Sequence, residues 1–246
     1  MTPHEARVMV RGALDDDSFK KPPETLKNCV RVNYEAGYHV DIPVYREFED
    51  DAGNTCLELA SIEWRKLDPT DLTTWFNNAV VKKSPDELNG RQMRREVCLL
   101  KKFARSRKSW NMPSGLIISV LVDENYTPYS GRDDEALYNL LQEIYDRLRS
   151  TGHSVKNPCD ASEELTKGAG DPKMQELEDR LAWALDRLHD VINSSCDRDE
   201  AMKRWNEIFC TDFFSQFIED NEDSKLDELN VLVTSVTDTA PKPWAR

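Results

Sequence analysis

The sequence predicts an α+β fold in which a small β-rich part precedes a helical part. Residues 30–44 alternate between apolar and polar side chains around a glycine, which is typical of antiparallel strands. From residue 69 onward, apolar residues recur at spacings of three and four, which indicates helices. The change falls at Leu67-Asp68-Pro69, so we expect an α/β part at 1–68, a helical part at 69–217 and a polar tail at 218–246.

The composition limits the classes of function. The 246 residues are 32% charged and 39% hydrophobic, and the formal net charge is -13. No apolar run is long enough to span a membrane and the N-terminus lacks a signal-peptide pattern, so we expect a cytoplasmic protein without a membrane partner. The acidic balance argues against long nucleic acid as a partner. The six dispersed cysteines form no C-x-x-C pair, which favours reduced thiols over zinc or disulfides.

The N-terminal segment is predicted to be a helix. Thr2 can cap it, Pro3 suits the first helical position and Glu5 suits the third. A polar loop follows, with the run Asp15-Asp16-Asp17. Metal-binding carboxylates need a rigid element to fix their geometry, so we interpret this run as solvated loop rather than as a metal site.

The segment from Cys29 to Arg46 is predicted to be a β-hairpin that turns at Ala36-Gly37. On its second strand His39 and Asp41 share one face, and the aliphatic residues of the opposite face are expected to enter the core. An acidic side chain in mid-strand is either solvated or part of a metal or proton-transfer site. The spacing alone favours the solvated interpretation. A further strand is predicted at residues 55–60. For Glu58 and Glu63 we favour a solvated face or a salt bridge, and the alternative is that they assist a metal site.

The segment 86–107 is predicted to be a helix with two distinct stripes. The buried stripe is Met93, Val97, Leu100 and Ala104, and the other stripe is basic, with Arg94, Lys101, Arg105 and Lys108. Such stripes are usually solvated faces. Because few acids accompany these cations, the alternative is a surface that binds a small anionic ligand.

The remainder is predicted to contain helices only. We expect helices near residues 70–81, 115–122, 133–148, 174–193 and 199–209. Residues 152–172 look like a linker, but we expect them to be ordered. Residues 210–217 are expected to pack on the last helices. The tail is expected to be poorly ordered.

Four segments in this order resemble one protein family: GYHVDIPVYR, LELASIEW, DPTDLTTWF and LLKKFARSRKSWNMPSG. They are similar to the cGAS/DncV-like bacterial nucleotidyltransferases (CD-NTases), which make cyclic oligonucleotide signals in the anti-phage defence called CBASS. The resemblance extends from Pro3 to about Phe214. It implies a partial nucleotidyltransferase (polymerase-beta-like) sheet followed by an oligoadenylate-synthetase-like helical domain, acting on nucleoside triphosphates.

The resemblance also implies roles for individual residues. Asp41 matches the third metal-binding carboxylate of the family, which would ligate Mg²⁺ and help take up the proton of the acceptor hydroxyl. Lys101, with Lys102 as the alternative, matches the lysine that holds the donor triphosphate. Ser114 matches the polar residue that assists it, and we expect Ser114 in the first turn of a helix opened by Pro113, where free N–H groups attract phosphate.

The Gly-Ser turn and the Asp-x-Asp strand of the family are not found in this sequence. One explanation is an N-terminally truncated synthase. Another is a catalytically inactive nucleotide-binding or regulatory module that complements a separately encoded N-terminal half or serves CBASS regulatory partners. A third is a purely structural helical protein, which leaves Asp41, Lys101 and Ser114 unexplained. We expect truncation, since a sheet without its central strands exposes unpaired edges.

Overall fold

The chain forms two compact units, one from Met1 to Trp75 and the other from Phe76 onward. This division lies within a helix, seven residues beyond the predicted boundary at Asp68. The computed structural model describes residues 1–15, 19, 21–193 and 195–218. The predicted tail lies almost wholly outside these ranges, as do Asp16 and Asp17.

The first unit begins with helix α1, Pro3–Leu14, and its predicted cap is confirmed. Glu5 N–H donates to Thr2 Oγ1, while Glu5 Oε2 accepts from the Thr2 N–H at 2.7 Å. This reciprocal pair satisfies two N–H groups that the first turn would otherwise leave free.

Two antiparallel sheets follow α1. The first has strands β1 (Glu24–Thr25), β2 (Val30–Asn33) and β3 (His39–Ile42), in the order β1-β2-β3. The second has strands β4 (Tyr45–Glu49), β5 (Thr55–Ala60) and β6 (Trp64–Lys66), in the order β4-β5-β6.

Helix α1 packs on β1, β2 and β5, and the core of this unit lies beneath it. Its buried residues are Ala6, Val30, Val44 and Ala60. The buried Arg7 side chain fixes the helix in place, since it donates to the carbonyl oxygens of Ala60 at 2.6 Å and Ser61 at 2.5 Å.

The predicted hairpin is confirmed, but its second strand is shorter than expected. Strand β3 ends at Ile42 and β4 belongs to the other sheet, because Pro43 between them has no N–H for a ladder. The expectation that the aliphatic face of this strand enters the core is wrong for Val40, which is 43% exposed. Helix α1 covers β2, where Val30 and Val32 are buried, and β3 lies at the edge of the sheet.

The second unit is mainly helical. Helix α2 (Asp71–Lys83) spans the division between the units, and it is followed by α3 (Gln92–Ala104), α4 (Gly115–Asn125), α5 (Asp133–Thr151), α6 (Pro172–Ile192) and α7 (Arg198–Phe209). Short 3₁₀ turns occur at Leu88–Gly90, Gly168–Gly170 and Phe213–Phe217. The largest fully buried side chains of this core include Met93, Leu100, Phe103, Leu121, Ile144 and Leu177.

Two predictions for this unit are wrong. The helix expected at 86–107 begins only at Gln92, because Asn89, Gly90 and Arg91 have positive φ angles that no α-helix accommodates. The expectation of helices only also fails, since β7 (Lys156–Asn157) pairs with β8 (Asp160–Glu164) in a hairpin. The predicted buried stripe of Met93, Val97, Leu100 and Ala104 is confirmed.

Among the described residues, no helix has both the length and the apolar character needed to cross a bilayer. All six cysteines are free thiols.

Candidate functional site

The junction between α3 and α4 brings two cations to the start of a helix. If Gly115 carried a Cβ, the nearest heavy atoms would be Lys101 Cε at 3.3 Å, Arg105 Nη2 at 3.6 Å and Lys101 Nζ at 3.7 Å. Arg105 is the C-cap of α3 and lies four residues after Lys101, so the two side chains project from the same side of the helix end. Both cationic groups thus approach Gly115, the first residue of α4.

Ser114 is the N-cap of α4, so the prediction of its place in the first turn is corrected by one position. Its backbone is extended and its Oγ accepts from the Ile117 N–H at 3.4 Å. Helix geometry gives the N–H groups of Gly115 and Leu116 no carbonyl partner within α4. Since Ser114 is exposed, these donors lie where an anion can reach them.

The Lys101 ammonium lies in a partly desolvated place. Burial lowers its pKa, and the neighbouring Arg105 guanidinium lowers it further. A bound anion would compensate both effects, because it would supply the negative charge that this position lacks. Lys102 follows on a different side of α3 and is exposed. It is not among the nearest neighbours of the Gly115 position.

Most other arginines of the basic segment have structural partners, so the expected lack of balancing acids is only partly correct. Arg95 forms ion pairs with Asp86 at 2.8 Å and Asp133 at 2.6 Å. Arg91 pairs with Glu87. Arg94 donates to the Asn77 side chain and lies over the Phe76 ring, and Arg107 donates to backbone carbonyls of α7. Asp86 and Glu87 lie within the same segment, whereas Asp133 comes from α5, which the local sequence could not reveal.

Asp41 lies in the first unit and is paired across the hairpin. It faces Arg31 in the β2–β3 register, and the guanidinium binds both carboxylate oxygens, with Nε–Oδ1 at 2.7 Å and Nη2–Oδ2 at 2.8 Å. The side chains remain 41% and 31% exposed, respectively. These hydrogen bonds hold the pKa of Asp41 below its usual value, so the carboxylate is ionised at neutral pH.

The described residues alone do not fit a magnesium site. Within those ranges, no group of three or more His, Cys, Asp or Glu side chains is placed to hold a metal ion. Both oxygens of Asp41 already accept hydrogen bonds from Arg31. Two-metal chemistry needs several hard oxygen ligands around each ion. Glu58, the other acid considered near this strand, pairs with Arg46, so of the two favoured roles it has the salt bridge.

Two residues of the candidate sites, Arg105 and Arg31, were not predicted as site residues from the sequence. Arg105 could have been found as the residue four positions after Lys101 on the basic stripe. Arg31 could have been found from the hairpin register, since a turn at Ala36-Gly37 places it opposite Asp41.

Comparison with known proteins shows which fold this is. Residues 1–45 match the family model described as cyclic GMP-AMP synthase DncV-like, nucleotidyltransferase domain. The structure also matches Vibrio cholerae DncV cyclic AMP-GMP synthase, described as a prokaryotic cGAS homolog. That match has a TM-score of 0.61 and 18% identity, and it covers 81% of this chain and 54% of that chain. The fold is that of the cGAS/DncV-like nucleotidyltransferases.

Two other structures of the same V. cholerae enzyme give the same result. The complex with nonhydrolyzable GTP matches with a TM-score of 0.59 at 20% identity, over 76% of this chain and 51% of that chain. The complex with the linear intermediate 5′ pppA(3′,5′)pG matches with a TM-score of 0.59 at 19% identity, over 79% and 54%. The chain therefore spans about half the length of these cGAS/DncV-like proteins, and the α+β fold expected from the resemblance is confirmed.

Proposed function

We propose that this chain takes part in nucleotidyl transfer between nucleoside triphosphates, with a cyclic di- or oligonucleotide as the product. The observation that carries the proposal is the convergence of Lys101 and Arg105 on the Ser114-capped start of α4. The shared fold with a cyclic AMP-GMP synthase supports it. We place this activity in the cytoplasm and in antiviral CBASS signalling, where regulatory proteins or a separately encoded N-terminal half would be its partners.

The α3–α4 junction would bind the triphosphate of the donor nucleotide. Lys101 and Arg105 neutralise the phosphate charge, while the N–H groups of Gly115 and Leu116 donate hydrogen bonds to phosphate oxygens. The Ser114 hydroxyl accepts from Ile117 and keeps its own proton for donation. Lys102, which is exposed on α3, would add charge at the edge of this site without touching its centre.

Asp41 is the proposed catalytic carboxylate. Because Arg31 keeps it ionised, it can accept a hydrogen bond from an acceptor hydroxyl and take up its proton. The exposed position of the pair lets a substrate phosphate compete for the guanidinium. Magnesium belongs to the proposal through the family resemblance, but the described residues do not form a metal site, so no step is assigned to the metal.

A second candidate function is nucleotide binding without catalysis, in a regulatory or complementing module. One observation favours it: all the groups at the α3–α4 junction lie within the second unit, so anion binding there needs no residue of the first. In the first unit the single candidate carboxylate is engaged by Arg31.

Two measurements on the chain separate these functions. The first is the equilibrium affinity for nonhydrolysable ATP and GTP analogues. We expect Lys101→Met to weaken this binding about tenfold, the effect of losing one charge-assisted contact. Lys82→Met, which removes an exposed lysine from α2, is the matched control. Equal affinities for wild type and Lys101→Met would remove Lys101 from the site.

The second measurement is product formation from the four nucleoside triphosphates with and without Mg²⁺, followed by chromatography. Formation of a cyclic product that Asp41→Asn abolishes, with analogue binding retained, is the expected result for a synthase. Analogue binding without any product is the expected result for a binding module. Full activity in Asp41→Asn would contradict the catalytic role of Asp41. Absence of analogue binding would contradict both proposed functions.

A further inference from the structure

The tip of the β2–β3 hairpin encloses a second candidate site, which the proposed function does not use. A cavity of about 450 Å³ opens there, lined in part by Tyr34, Tyr38, Lys21 and His39. This volume lies within the range of small-molecule sites in proteins. All the residues that line the cavity belong to the first unit, whereas those of the α3–α4 junction belong to the second.

Two tyrosines make an aromatic platform in this cavity. The rings of Tyr34 and Tyr38 stack with centroids 4.7 Å apart and an interplanar angle of 14°. Phe19 supports the Tyr34 ring edge-on at 5.8 Å. Tyr38 is nevertheless 55% exposed and Tyr34 38% exposed. Aromatic rings this exposed are often binding surfaces, since stacking on a ligand would remove their apolar area from water.

The backbone of the turn holds this platform in place. Gly37 N–H donates to the Tyr34 carbonyl at 3.1 Å, and Tyr34 N–H donates to the Tyr38 carbonyl at 2.9 Å. Gly37 has a φ of +84°, a conformation that a side chain would strain. Because a tight turn holds the backbone of both tyrosines, ordering them on ligand binding would cost little conformational entropy.

Basic and polar groups line the same cavity. Lys21 carries a positive charge, and its ammonium group can donate three hydrogen bonds. Glu35 also lines it, so an anionic group of a ligand has to lie on the side of Lys21. One cavity therefore offers a flat stacking surface together with a cation that binds an anion.

The Arg31–Asp41 pair does not line the cavity. His39 pairs with Asn33, and the Val32–Val40 pair separates them from Arg31 and Asp41. Residues two apart on a strand share one face, so His39 and Asp41 lie on the same face. The two polar cross-strand pairs are thus roughly 7 Å apart along the strands. The stacked rings of Tyr34 and Tyr38 follow Asn33 and precede His39 by one residue, so they lie on the opposite face of the hairpin from the proposed catalytic carboxylate.

We propose that this cavity binds a nucleoside phosphate, with its base stacked on Tyr38 and its phosphate directed towards Lys21. A nucleotide unites the two features that the lining recognises, a flat ring and an anion. The choice of a nucleotide rests on the proposed function, and the site itself stands on the cavity and its aromatic platform. It would be a second nucleotide site, built from residues other than those of the α3–α4 junction.

Backbone amide NMR spectra of the whole chain test this proposal. The probe is guanosine 5′-monophosphate, with guanosine and ribose 5-phosphate as the probes that lack the phosphate and the base. We expect the monophosphate to shift the amide signals of Gly37, Tyr38 and His39 in a saturable manner. Guanosine should bind more weakly and ribose 5-phosphate weakest, since stacking supplies most of the affinity.

Variants assign the effect to the platform. Tyr38→Leu keeps apolar bulk but removes the ring, and should weaken monophosphate binding at the hairpin about tenfold. Tyr38→Phe should bind like wild type. Ile62→Ala, an exposed residue outside the cavity, is the control. An otherwise unchanged spectrum shows that each variant is folded, and equal binding by Tyr38→Leu and wild type would overturn the proposal.

The same spectra keep this proposal distinct from the function proposed above. Shifts at the hairpin that Tyr38→Leu removes, with any shifts at Gly115–Ile117 unchanged, would support the second site. Shifts confined to Gly115–Ile117 would overturn it and leave the α3–α4 site standing. If no amide signal shifts with either nucleotide monophosphate or ATP analogue, both proposals fail.

Discussion

Arg31 and Asp41 face each other across strands β2 and β3, joined by hydrogen bonds of 2.7 and 2.8 Å. The pair satisfies both carboxylate oxygens at the position that the family resemblance assigns to catalysis. It also remains partly exposed, at 31% and 41% of the two side chains. The contact therefore keeps Asp41 charged while leaving it accessible to solvent.

The first prediction concerns the ionisation of Asp41. Arg31→Met should raise the pKa of Asp41 towards its usual value, because the hydrogen bonds from Arg31 are the main cause that lowers it. Since the folded pKa is lowered, the contribution of the pair to stability is present at neutral pH and is lost in acid, as the pH falls through that pKa. Carboxyl-carbon NMR titration of Asp41 measures the change.

The matched control is Arg46→Met, which breaks the comparable cross-strand pair with Glu58 in the other sheet. It should leave the titration of Asp41 unchanged. An unaltered Asp41 pKa in Arg31→Met would show that Arg31 does not control this carboxylate.

The second prediction concerns Gly115, at the start of α4. A Cβ there would lie 3.3 Å from Lys101 Cε, so Gly115→Ala should force the lysine side chain to move. We expect affinity for nucleoside triphosphate analogues to fall by a factor of about three to ten, from partial loss of one ionic contact. Stability should not fall, because alanine favours helix more than glycine does.

Gly12→Ala in α1 is the control, since nothing lies within 4 Å of the added Cβ. Isothermal titration with the same analogue compares the two variants. If Gly115→Ala bound as tightly as wild type, the ammonium would not need its observed position, and the proposed donor site would lose its geometric basis.

The third prediction concerns how Arg107 fastens α7. Its guanidinium donates to the carbonyls of Glu207 and Ile208 at the end of that helix, and it lies 4.5 Å from the Trp110 ring centroid and 5.0 Å from that of Trp183. Arg107→Met should lower the free energy of unfolding by about 1–3 kcal/mol, measured by urea denaturation. Arg107→Lys should not restore it, because an ammonium lacks the planar fork.

Lys108→Met is the control for Arg107, since it removes the next, exposed cation of the same segment. Similar unfolding free energies for Arg107→Met and Lys108→Met would mean that the contacts with α7 and the tryptophans contribute nothing measurable.

These examples show what the sequence could and could not predict. The hairpin could be predicted from the alternation of Val30 and Val32 and from the turn at Ala36-Gly37, because both signals are local. The buried stripe of α3 could likewise be predicted from the three- and four-residue spacing of its apolar residues. The hairpin of β7 and β8 was not, because polar contacts such as Val155 N–H to Glu164 Oε1 organise it instead of apolar alternation.

The candidate site was predictable only in part, for a related reason. Lys101 and Ser114 were identified by resemblance, but the approach of Arg105 to Gly115 depends on how α3 packs on α4. The partner of Arg95 is another case, since Asp133 lies 38 residues away in sequence. Contacts between distant segments are not encoded in local periodicity.

The last prediction concerns Glu96, which is completely buried in α3. Within the described structure neither carboxyl oxygen has a hydrogen-bond partner. Burial, reinforced by the negative charges of Asp133 and Asp134 on α5 and opposed by Arg95, raises the pKa of Glu96 to about 8. The Tyr126 hydroxyl also interacts with this carboxyl electrostatically. The folded protein therefore keeps Glu96 protonated at pH values where the unfolded chain has released the proton.

It follows that Glu96 destabilises the fold increasingly as the pH rises from about 5 to about 8, by up to a few kcal/mol. Glu96→Gln, which cannot ionise, should flatten this dependence, so that its free energy of unfolding exceeds that of wild type at pH 8 by more than at pH 5. Urea denaturation at both pH values measures this difference. The exposed Glu143→Gln should behave like wild type, and an equal pH dependence in Glu96→Gln would mean that Glu96 does not titrate as its burial requires.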